Sequence, residues 1–118
     1  MLRVLIVDDH DGFREAAGRV LAAAGFDVIA GAVDGAGGLR LARQLRPDVV
    51  LLDVQLPDTD GFAVARALGR DPAPPAVVLV SSRSRADYGR LIERSGVRGF
   101  IAKAELSGDL LRAALGSG

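Results

Sequence analysis

The chain contains no cysteine and has a single lysine among its basic residues. Without cysteine, neither disulfides nor thiol chemistry are available, which is typical of proteins from reducing compartments. The formal net charge is +0, which gives no support for a surface that binds nucleic acid or a membrane. No apolar run approaches the ~20 residues that span a bilayer, and the N-terminus enters a strand-like run without a signal peptide. We therefore expect a cytoplasmic globular protein without direct contact to nucleic acid or membranes.

Short apolar runs alternate with helical patterns along the whole chain, and its 118 residues correspond to one domain. The expected strands cover residues 3–7, 28–30, 49–53, 76–80 and 99–102, and the expected helices cover 12–24, 36–46, 62–70, 85–95 and 106–115. Five strand–helix units predict an α/β fold with one doubly wound parallel sheet, a (βα)5 arrangement. The flavodoxin-like strand order 2-1-3-4-5 is the option for a domain of this size. Residues 116–118 are expected to be a flexible tail or the start of a linker.

Glycine and acidic residues predict where several helices begin and end. Gly25 is expected to stop the first helix. The glycines at positions 35, 37 and 38 are expected to fray the start of the second. An acid within 57–61 is expected to cap the third helix.

Charged groups follow three of the apolar strands. Asp8 and Asp9 come directly after the first strand, Asp53 ends the third, and Lys103 follows the fifth. Since ligands bind at the carboxyl ends of the strands in open α/β sheets, we expect these groups to share one crevice.

A cation is needed where Asp8, Asp9 and Asp53 meet. Two such carboxylates repel each other by ~4 kcal/mol at an effective dielectric constant of about 20. Even with Lys103 present, the four side chains keep two net negative charges. Mg²⁺ fits this need, because it prefers oxygen ligands and also coordinates phosphoryl groups.

The same residues can handle a phosphoryl group. Asp53 is the candidate nucleophile, since a carboxylate that attacks phosphorus forms an acyl phosphate. Ser81, at the end of the fourth strand, can hydrogen-bond a phosphoryl oxygen, and Lys103 can neutralise one as a point charge. Taken singly, each has a plainer interpretation: a capping acid, a solvated strand end, a turn serine or a surface lysine.

Five features in order make the sequence resemble the receiver domain of bacterial two-component response regulators. They are Asp8-Asp9, Asp53, Leu56-Pro57, Ser81 and the segment 99–103 that ends in Lys103. The resemblance implies that a histidine kinase or phosphotransfer protein phosphorylates Asp53 and that Mg²⁺ is required. It implies metal ligation by Asp9, Asp53 and the Gln55 backbone carbonyl, with Asp8 acting through water. It also implies a coupled switch pair, Ser81 and Phe100, with Lys103 as the phosphate partner. By this resemblance the chain is a signalling phosphoacceptor and not an enzyme, since it would catalyse only its own phosphorylation and dephosphorylation.

The output is expected to lie outside this sequence. Val7-Asp8-Asp9-His10, with Arg14, is similar to receivers of transcription factors that carry a helix-turn-helix output, and no such output is present in this chain. Switching is expected to reshape the face of the fourth helix, fifth strand and fifth helix, which would control a partner, an output domain or homodimerisation. His10 is expected to be a solvent-side residue at a helix start. The residues expected on the switching face are Arg85, Tyr88, Arg90, Arg94, Glu105 and Arg112.

The sequence departs from the family pattern at two positions and has an arginine at a third that flanks the site. Ala104 stands where many receivers have proline, so we expect a trans Lys103–Ala104 peptide bond. Phe100 lacks the hydroxyl of the commoner tyrosine, which leaves ring packing as its means of switching. Arg83 lies where it can approach the phosphate, and we hypothesise that it tunes the lifetime of the phosphorylated form.

Three other functions remain open at this stage. A receiver-like module that binds proteins without phosphorylation is the main alternative. A phosphohydrolase usually has a second acid two residues after its nucleophile, where this chain has Gln55. A flavin or nucleotide binder would need a glycine-rich loop after the first strand, where this chain has Asp8-Asp9-His10-Asp11.

Overall fold

A five-stranded parallel sheet forms the centre of the protein. The structure, a computed structural model, describes residues 1–116. The strands are β1 (Arg3–Val7), β2 (Asp27–Ala32), β3 (Val49–Asp53), β4 (Ala76–Ser81) and β5 (Gly99–Ala102). They pair in the order β2-β1-β3-β4-β5, and every pairing is parallel. The predicted α/β fold and its flavodoxin-like strand order 2-1-3-4-5 are therefore confirmed. Residues 117–118 of the predicted tail lie outside the described residues.

In the described part of the chain, six α-helices flank the sheet: α1 (Asp11–Ala23), α2 (Gly35–Leu45), α3 (Gly61–Gly69), α4 (Arg85–Tyr88), α5 (Leu91–Arg94) and α6 (Gly108–Ala114). Successive residues of β1 point to opposite faces, as the pleat of a strand requires. Leu5 and Val7 pack with α2 and α3, while Val4 and Ile6 pack with α1 and α6. This double cover explains why β1, β3 and β4 are almost continuously apolar. Within residues 1–116, no helix has the length and apolar character needed to cross a membrane.

The predicted helix over 85–95 is wrong as a single element. It consists of α4 and α5, separated at Gly89, whose φ of 54° and ψ of −128° leave the helical region. Glycine adopts a positive φ without the steric penalty that a Cβ imposes. The last helix is also shorter than predicted, because Ser107 caps α6 by accepting a hydrogen bond from Leu110 N–H. A 3-10 turn at Lys103–Glu105 precedes it.

The expected fraying of α2 does not occur, since two aspartates hold its first turn. The Asp34 carboxylate accepts a hydrogen bond from Gly37 N–H at 2.7 Å. The Asp58 carboxylate, from the loop after β3, accepts hydrogen bonds from Gly35 N–H and Ala36 N–H at 2.8 and 3.0 Å. These contacts satisfy backbone donors that a helix start otherwise leaves unpaired.

Other sequence signals for helix ends are confirmed. Gly25 follows α1 with a φ of +94°, and Asp60 caps α3 by accepting a hydrogen bond from Ala63 N–H. Gly61, the first residue of α3, lies so close to β3 that a Cβ there would be 2.5 Å from the carbonyl oxygen of Asp53. This close approach lets Gly61 N–H donate a hydrogen bond to the Val54 carbonyl at 2.7 Å, which holds the loop between β3 and α3 against the end of β3.

Candidate functional site

The central strands β1 and β3 bring the candidate acids together. The two strands are neighbours, with Val7 paired to Leu52, so the residues that follow them lie side by side at the carboxyl edge. The side chains of Asp8 and Asp53 are 0% and 3% exposed. Two ionisable groups are therefore buried next to each other, an arrangement that costs free energy unless further charges compensate it.

Lys103 reaches the same point from the end of β5. Its Nζ lies 2.6 Å from Asp8 Oδ2 and 3.3 Å from Asp53 Oδ2, and it donates a hydrogen bond to Asp53. The approach to Asp8 is an ion pair without hydrogen-bond geometry, because within residues 1–116 Asp8 Oδ2 has no hydrogen-bond partner. The lysine and the two buried aspartates that the sequence singled out thus lie in direct contact.

The pKa of Asp53 is raised above its ordinary value of 3.8. Burial is the largest cause, because it disfavours the charged carboxylate, and the charge of Asp8 raises the pKa further. The charge of Lys103 and hydrogen bonds from Gln55 N–H and Lys103 oppose the increase. A positive group placed between the two carboxylates would relieve the repulsion.

Two contacts that the sequence did not predict support this cluster. The Lys103 ammonium lies over the Phe13 ring, 4.6 Å from its centroid, so a face of α1 helps to hold the lysine. Arg14 Nη1 donates a hydrogen bond to the backbone carbonyl of Asp8 at 2.7 Å. Phe13 and Arg14 lie in the first turn of α1. The sequence singled out Arg14 only as part of the resemblance to receivers of transcription factors, and no pattern in it predicts either contact.

His10 is exposed as expected, yet it also contacts the acids. Its side chain is 67% exposed, and its Nδ1 lies 3.0 Å from Asp8 Oδ1 and 3.3 Å from Asp9 Oδ1. Its backbone N–H donates a further hydrogen bond to Asp8 Oδ1 at 2.8 Å. The loop after β1 therefore turns back on Asp8 and leaves Asp8 Oδ2 facing Lys103.

The acidic cluster fits a hard divalent cation. One potential ligand atom from each of Asp8, Asp9, His10 and Asp53 can be chosen so that all lie within 4.8 Å of one another. Within residues 1–116, the buried Asp8 Oδ2 has the ion pair with Lys103 but no hydrogen bond, so it can still accept one from water on a bound cation. Carboxylate oxygens are the ligands that Mg²⁺ prefers.

Ser81, at the end of β4, is 1% exposed and has two hydrogen-bond contacts. Its Oγ accepts a hydrogen bond from Arg83 N–H at 3.0 Å and lies 2.6 Å from the hydroxyl oxygen of Tyr88. The Tyr88 ring packs between Phe62 and Phe100, with centroid distances of 5.5 and 5.8 Å.

Two residues of the predicted switching face make contacts with the rest of the domain. Tyr88 is half-buried and turned toward Ser81, because its ring joins the aromatic cluster. Arg112 lies on the other side of the sheet, with its guanidinium 4.6 Å from the centroid of the Phe26 ring, and donates a hydrogen bond to the carbonyl of Ala24. The remaining residues of that predicted set are exposed: Arg85, Arg90, Arg94 and Glu105.

Comparison with known proteins agrees with this arrangement. The model of the response regulator receiver domain family matches residues 4–115. The chain belongs to this family. It is therefore a phosphoacceptor signalling domain of two-component systems, and such domains generally bind Mg²⁺ at an acidic pocket, interact with histidine kinases and commonly dimerise. The peptide bond between Lys103 and Ala104 is trans, as predicted for a receiver without proline at this position.

The chain matches part of two curated proteins with different names. The chain is 46% identical over 110 residues to a protein-glutamate methylesterase/protein-glutamine glutaminase of Anaeromyxobacter dehalogenans, covering 91% of this chain and 31% of that protein. It is 38% identical over 104 residues to the response regulator GacA of Pseudomonas aeruginosa, covering 87% of this chain and 49% of that protein. The chain thus spans 31% and 49% of the length of these two curated relatives.

A solved structure shows the same fold. The signal receiver domain of a response regulator designated NarL from Mycobacterium tuberculosis superposes with a TM-score of 0.86 at 35% identity, covering 98% of this chain and 97% of that one. This agreement includes the sheet order on which the juxtaposition of β1 and β3 depends.

Proposed function

We propose that Asp53 is the phosphoacceptor of this receiver and takes a phosphoryl group from a histidine kinase or a phosphotransfer protein. The observation that carries this proposal is the position of Asp53, 3% exposed and within 3.3 Å of the Lys103 ammonium, beside the acidic cluster. The site's other two aspartates have different surroundings. Asp8 is fully buried and held by His10 and Lys103, and Asp9 is more exposed.

The chemistry at Asp53 is a displacement at phosphorus. One carboxylate oxygen attacks the phosphorus of a phosphohistidine, an oxygen–phosphorus bond forms, and the phosphorus–nitrogen bond breaks as the donor's imidazole leaves. Lys103 would stabilise charge on the phosphoryl oxygens, and Ser81 would donate a hydrogen bond to one of them. Hydrolysis returns Asp53 to the carboxylate, so the chain would catalyse its own phosphorylation and dephosphorylation and act on no other substrate.

We assign the metal ligands to Asp9, Asp53 and the backbone carbonyl of Gln55, with Asp8 acting through water. When bound, Mg²⁺ would neutralise charge on the phosphoryl group. The buried Asp8 Oδ2 supports this assignment, since within residues 1–116 it has an ion pair with Lys103 but no hydrogen bond, which leaves it able to accept one from a water. Asp8 then orients the surroundings of the metal through His10 and Lys103.

The readout would pass from Ser81 and the aromatic residues around Phe100 to the face formed by α4, β5 and α6. Exposed charges on this face, at Arg85 and Glu105, suit contact with a partner, an output domain or a second copy of the chain. Because response regulators generally work in the cytoplasm, we place this protein there. The exposed Arg83, next to Ser81, is expected to tune dephosphorylation, and an Arg83→Ala variant should lose phosphate at a different rate.

The test is phosphorylation by a small donor. Purified protein incubated with acetyl phosphate should gain one phosphoryl group by intact mass, and the gain should require Mg²⁺. The Asp53→Asn variant should gain none, while Asp11→Asn, a change to a neighbouring exposed acid, should behave like the wild type. A phosphoryl group that persists in Asp53→Asn would overturn the assignment.

The alternative is a receiver-like module that binds its partner without phosphorylation. No adduct under any of these conditions, with partner binding intact, would favour it. The complete set of acids, lysine and serine argues against this alternative, since a module without phosphorylation has no need for a buried pair of carboxylates, which costs free energy.

A further inference from the structure

The Tyr88 hydroxyl contacts Ser81, the residue at the end of β4 beside Asp53. The two hydroxyl oxygens are 2.6 Å apart, and Val80, the residue before Ser81, pairs with Asp53 between β4 and β3. The resemblance to receivers assigned the coupling with Ser81 to Phe100, which has no hydroxyl. In this chain a tyrosine from α4 supplies that hydroxyl.

The hydrogen bonds available to Ser81 link Tyr88 to the state of Asp53. A serine hydroxyl has one proton to donate and accepts up to two hydrogen bonds. Arg83 N–H already donates a hydrogen bond to Ser81 Oγ. The Tyr88 hydroxyl either donates a second hydrogen bond to Ser81 Oγ or accepts one from it. A phosphoryl oxygen on Asp53 only accepts, so it requires the Ser81 proton. The Tyr88 hydroxyl must then either donate the hydrogen bond to Ser81 Oγ or lose its hydrogen bond with Ser81.

Tyr88 also anchors α4 to the domain. Across the described stretch 82–91, every residue is exposed except Tyr88. Its ring packs against Phe62 and Phe100, and Gly89 follows it with a positive φ that ends α4. A change at the Tyr88 hydroxyl therefore acts on a four-residue helix with little else to hold it.

Phe100 is connected to this anchor in two ways. Its ring lies 5.8 Å from that of Tyr88, and the Arg85 guanidinium lies over it at 5.7 Å. Both contacts come from α4, so Phe100 packs against the helix that Tyr88 positions.

We propose that Tyr88 is the positioning residue that couples phosphorylation of Asp53, through Ser81, to α4, and that the coupled pair is Ser81 and Tyr88. This inference rests on the proposed function, since it requires a phosphoryl group on Asp53. Phe100 then follows Tyr88 by ring packing.

Tyr88 is itself a fluorescent probe, because it is the one tyrosine of the chain and the chain contains no tryptophan. Intrinsic tyrosine emission therefore reports on Tyr88 alone. We expect emission to change when the wild type is treated with acetyl phosphate and Mg²⁺, and to return as the phosphoryl group is lost. Intact mass on the same samples measures phosphorylation. Asp53→Asn should show no change, Ser81→Ala should lose the change at matched phosphorylation, and Ser81→Thr, which keeps the hydroxyl, should retain it.

A second pair of variants separates Tyr88 from Phe100. Hydrogen exchange of the amides in 82–91 should differ between the phosphorylated and unphosphorylated wild type. Tyr88→Phe, which removes only the hydroxyl, should lose this difference, while Phe100→Leu should keep it.

The two readouts distinguish failure of this inference from failure of the proposed function. A full mass gain on Asp53 with unchanged tyrosine emission would overturn the role of Tyr88 and leave the phosphoacceptor in place. If the hydrogen-exchange difference in 82–91 were lost in Phe100→Leu but kept in Tyr88→Phe, the coupling would belong to Phe100. No mass gain in the wild type would overturn both proposals.

Discussion

Lys103 lies closer to Asp8 than to Asp53, with its Nζ 2.6 Å from one carboxylate oxygen and 3.3 Å from the other. The lysine thus compensates two buried charges, and its shorter contact is with the residue that is not the proposed phosphoacceptor. Phosphorylation would place new negative oxygens next to Asp53 and draw Lys103 away from Asp8.

The Lys103→Met variant should be much less stable than the wild type at neutral pH without Mg²⁺. Removing one partner of a buried ion pair costs about 3–5 kcal/mol, because the other charge stays buried and unpaired. The loss in the free energy of unfolding should lie near the lower end of this range, since the Lys103 side chain is 15% exposed and not fully buried. Urea unfolding measures the loss.

Asp8→Asn provides the control for that prediction. Introduced into Lys103→Met, it should restore part of the lost stability, because it removes one of the two carboxylates that the lysine compensates. If Asp8→Asn lowers stability equally with and without Lys103, the ion pair contributes nothing and the prediction is contradicted.

Mg²⁺ should stabilise the folded protein through the acidic cluster. At a concentration ~100 times its Kd, a ligand that binds only the folded state adds about 2.7 kcal/mol. Thermal unfolding with and without Mg²⁺ measures the shift. Asp9→Asn should largely abolish it, and Asp11→Asn should preserve it, because the Asp11 side chain is 82% exposed and pairs with Arg14. Equal shifts in both variants would place the metal elsewhere.

Strand order and the approach of Asp8, Asp53 and Lys103 were predictable, because apolar runs mark buried strands and parallel strands deliver their last residues to one edge. The contact between Tyr88 and Ser81 was not. A helical pattern through 85–95 places Tyr88 on an ordinary helix, whereas the break at Gly89 depends on a backbone conformation that the pattern does not encode.

The start of α2 shows a second limit of the sequence. Helix propensity predicts that Gly35, Gly37 and Gly38 weaken it, and propensity acts locally. Of the two stabilising carboxylates, Asp34 directly precedes the helix, but Asp58 lies 23 residues beyond Gly35 in the chain. The same glycines permit close packing, since a Cβ on Gly38 would lie 2.9 Å from a methyl carbon of Val7.

Gly61→Ala should destabilise the domain and lower its rate of phosphorylation. The added Cβ would meet the Asp53 carbonyl oxygen at 2.5 Å and Val54 Cα at 3.0 Å, both backbone atoms that move only with β3. Overpacking of this kind costs about 1–3 kcal/mol. Urea unfolding and the rate of mass gain with acetyl phosphate measure the two effects.

Gly69→Ala is the matched control, since it lies in the same helix and a Cβ there would meet nothing within 4 Å. Because alanine favours helices, this variant should be as stable as the wild type or up to about 1 kcal/mol more stable. Similar losses in both glycine variants would show that helix α3 tolerates no added methyl group, and would remove the special role of Gly61.

Asp58 should make stability depend on pH at the acidic end of the range. Hydrogen bonds from Gly35 N–H and Ala36 N–H hold the pKa of its carboxyl below the ordinary value of 3.8. Since the folded-state pKa is lowered, the unfolded chain binds the proton more readily. The contribution of Asp58 is therefore complete above the unfolded pKa and disappears as pH falls through the folded pKa. Asp58→Asn should be less stable than the wild type at pH ~7, and the difference should shrink below pH ~4. Urea unfolding across this range measures it, and a difference that stays constant into the acidic range would contradict the role of the carboxylate charge.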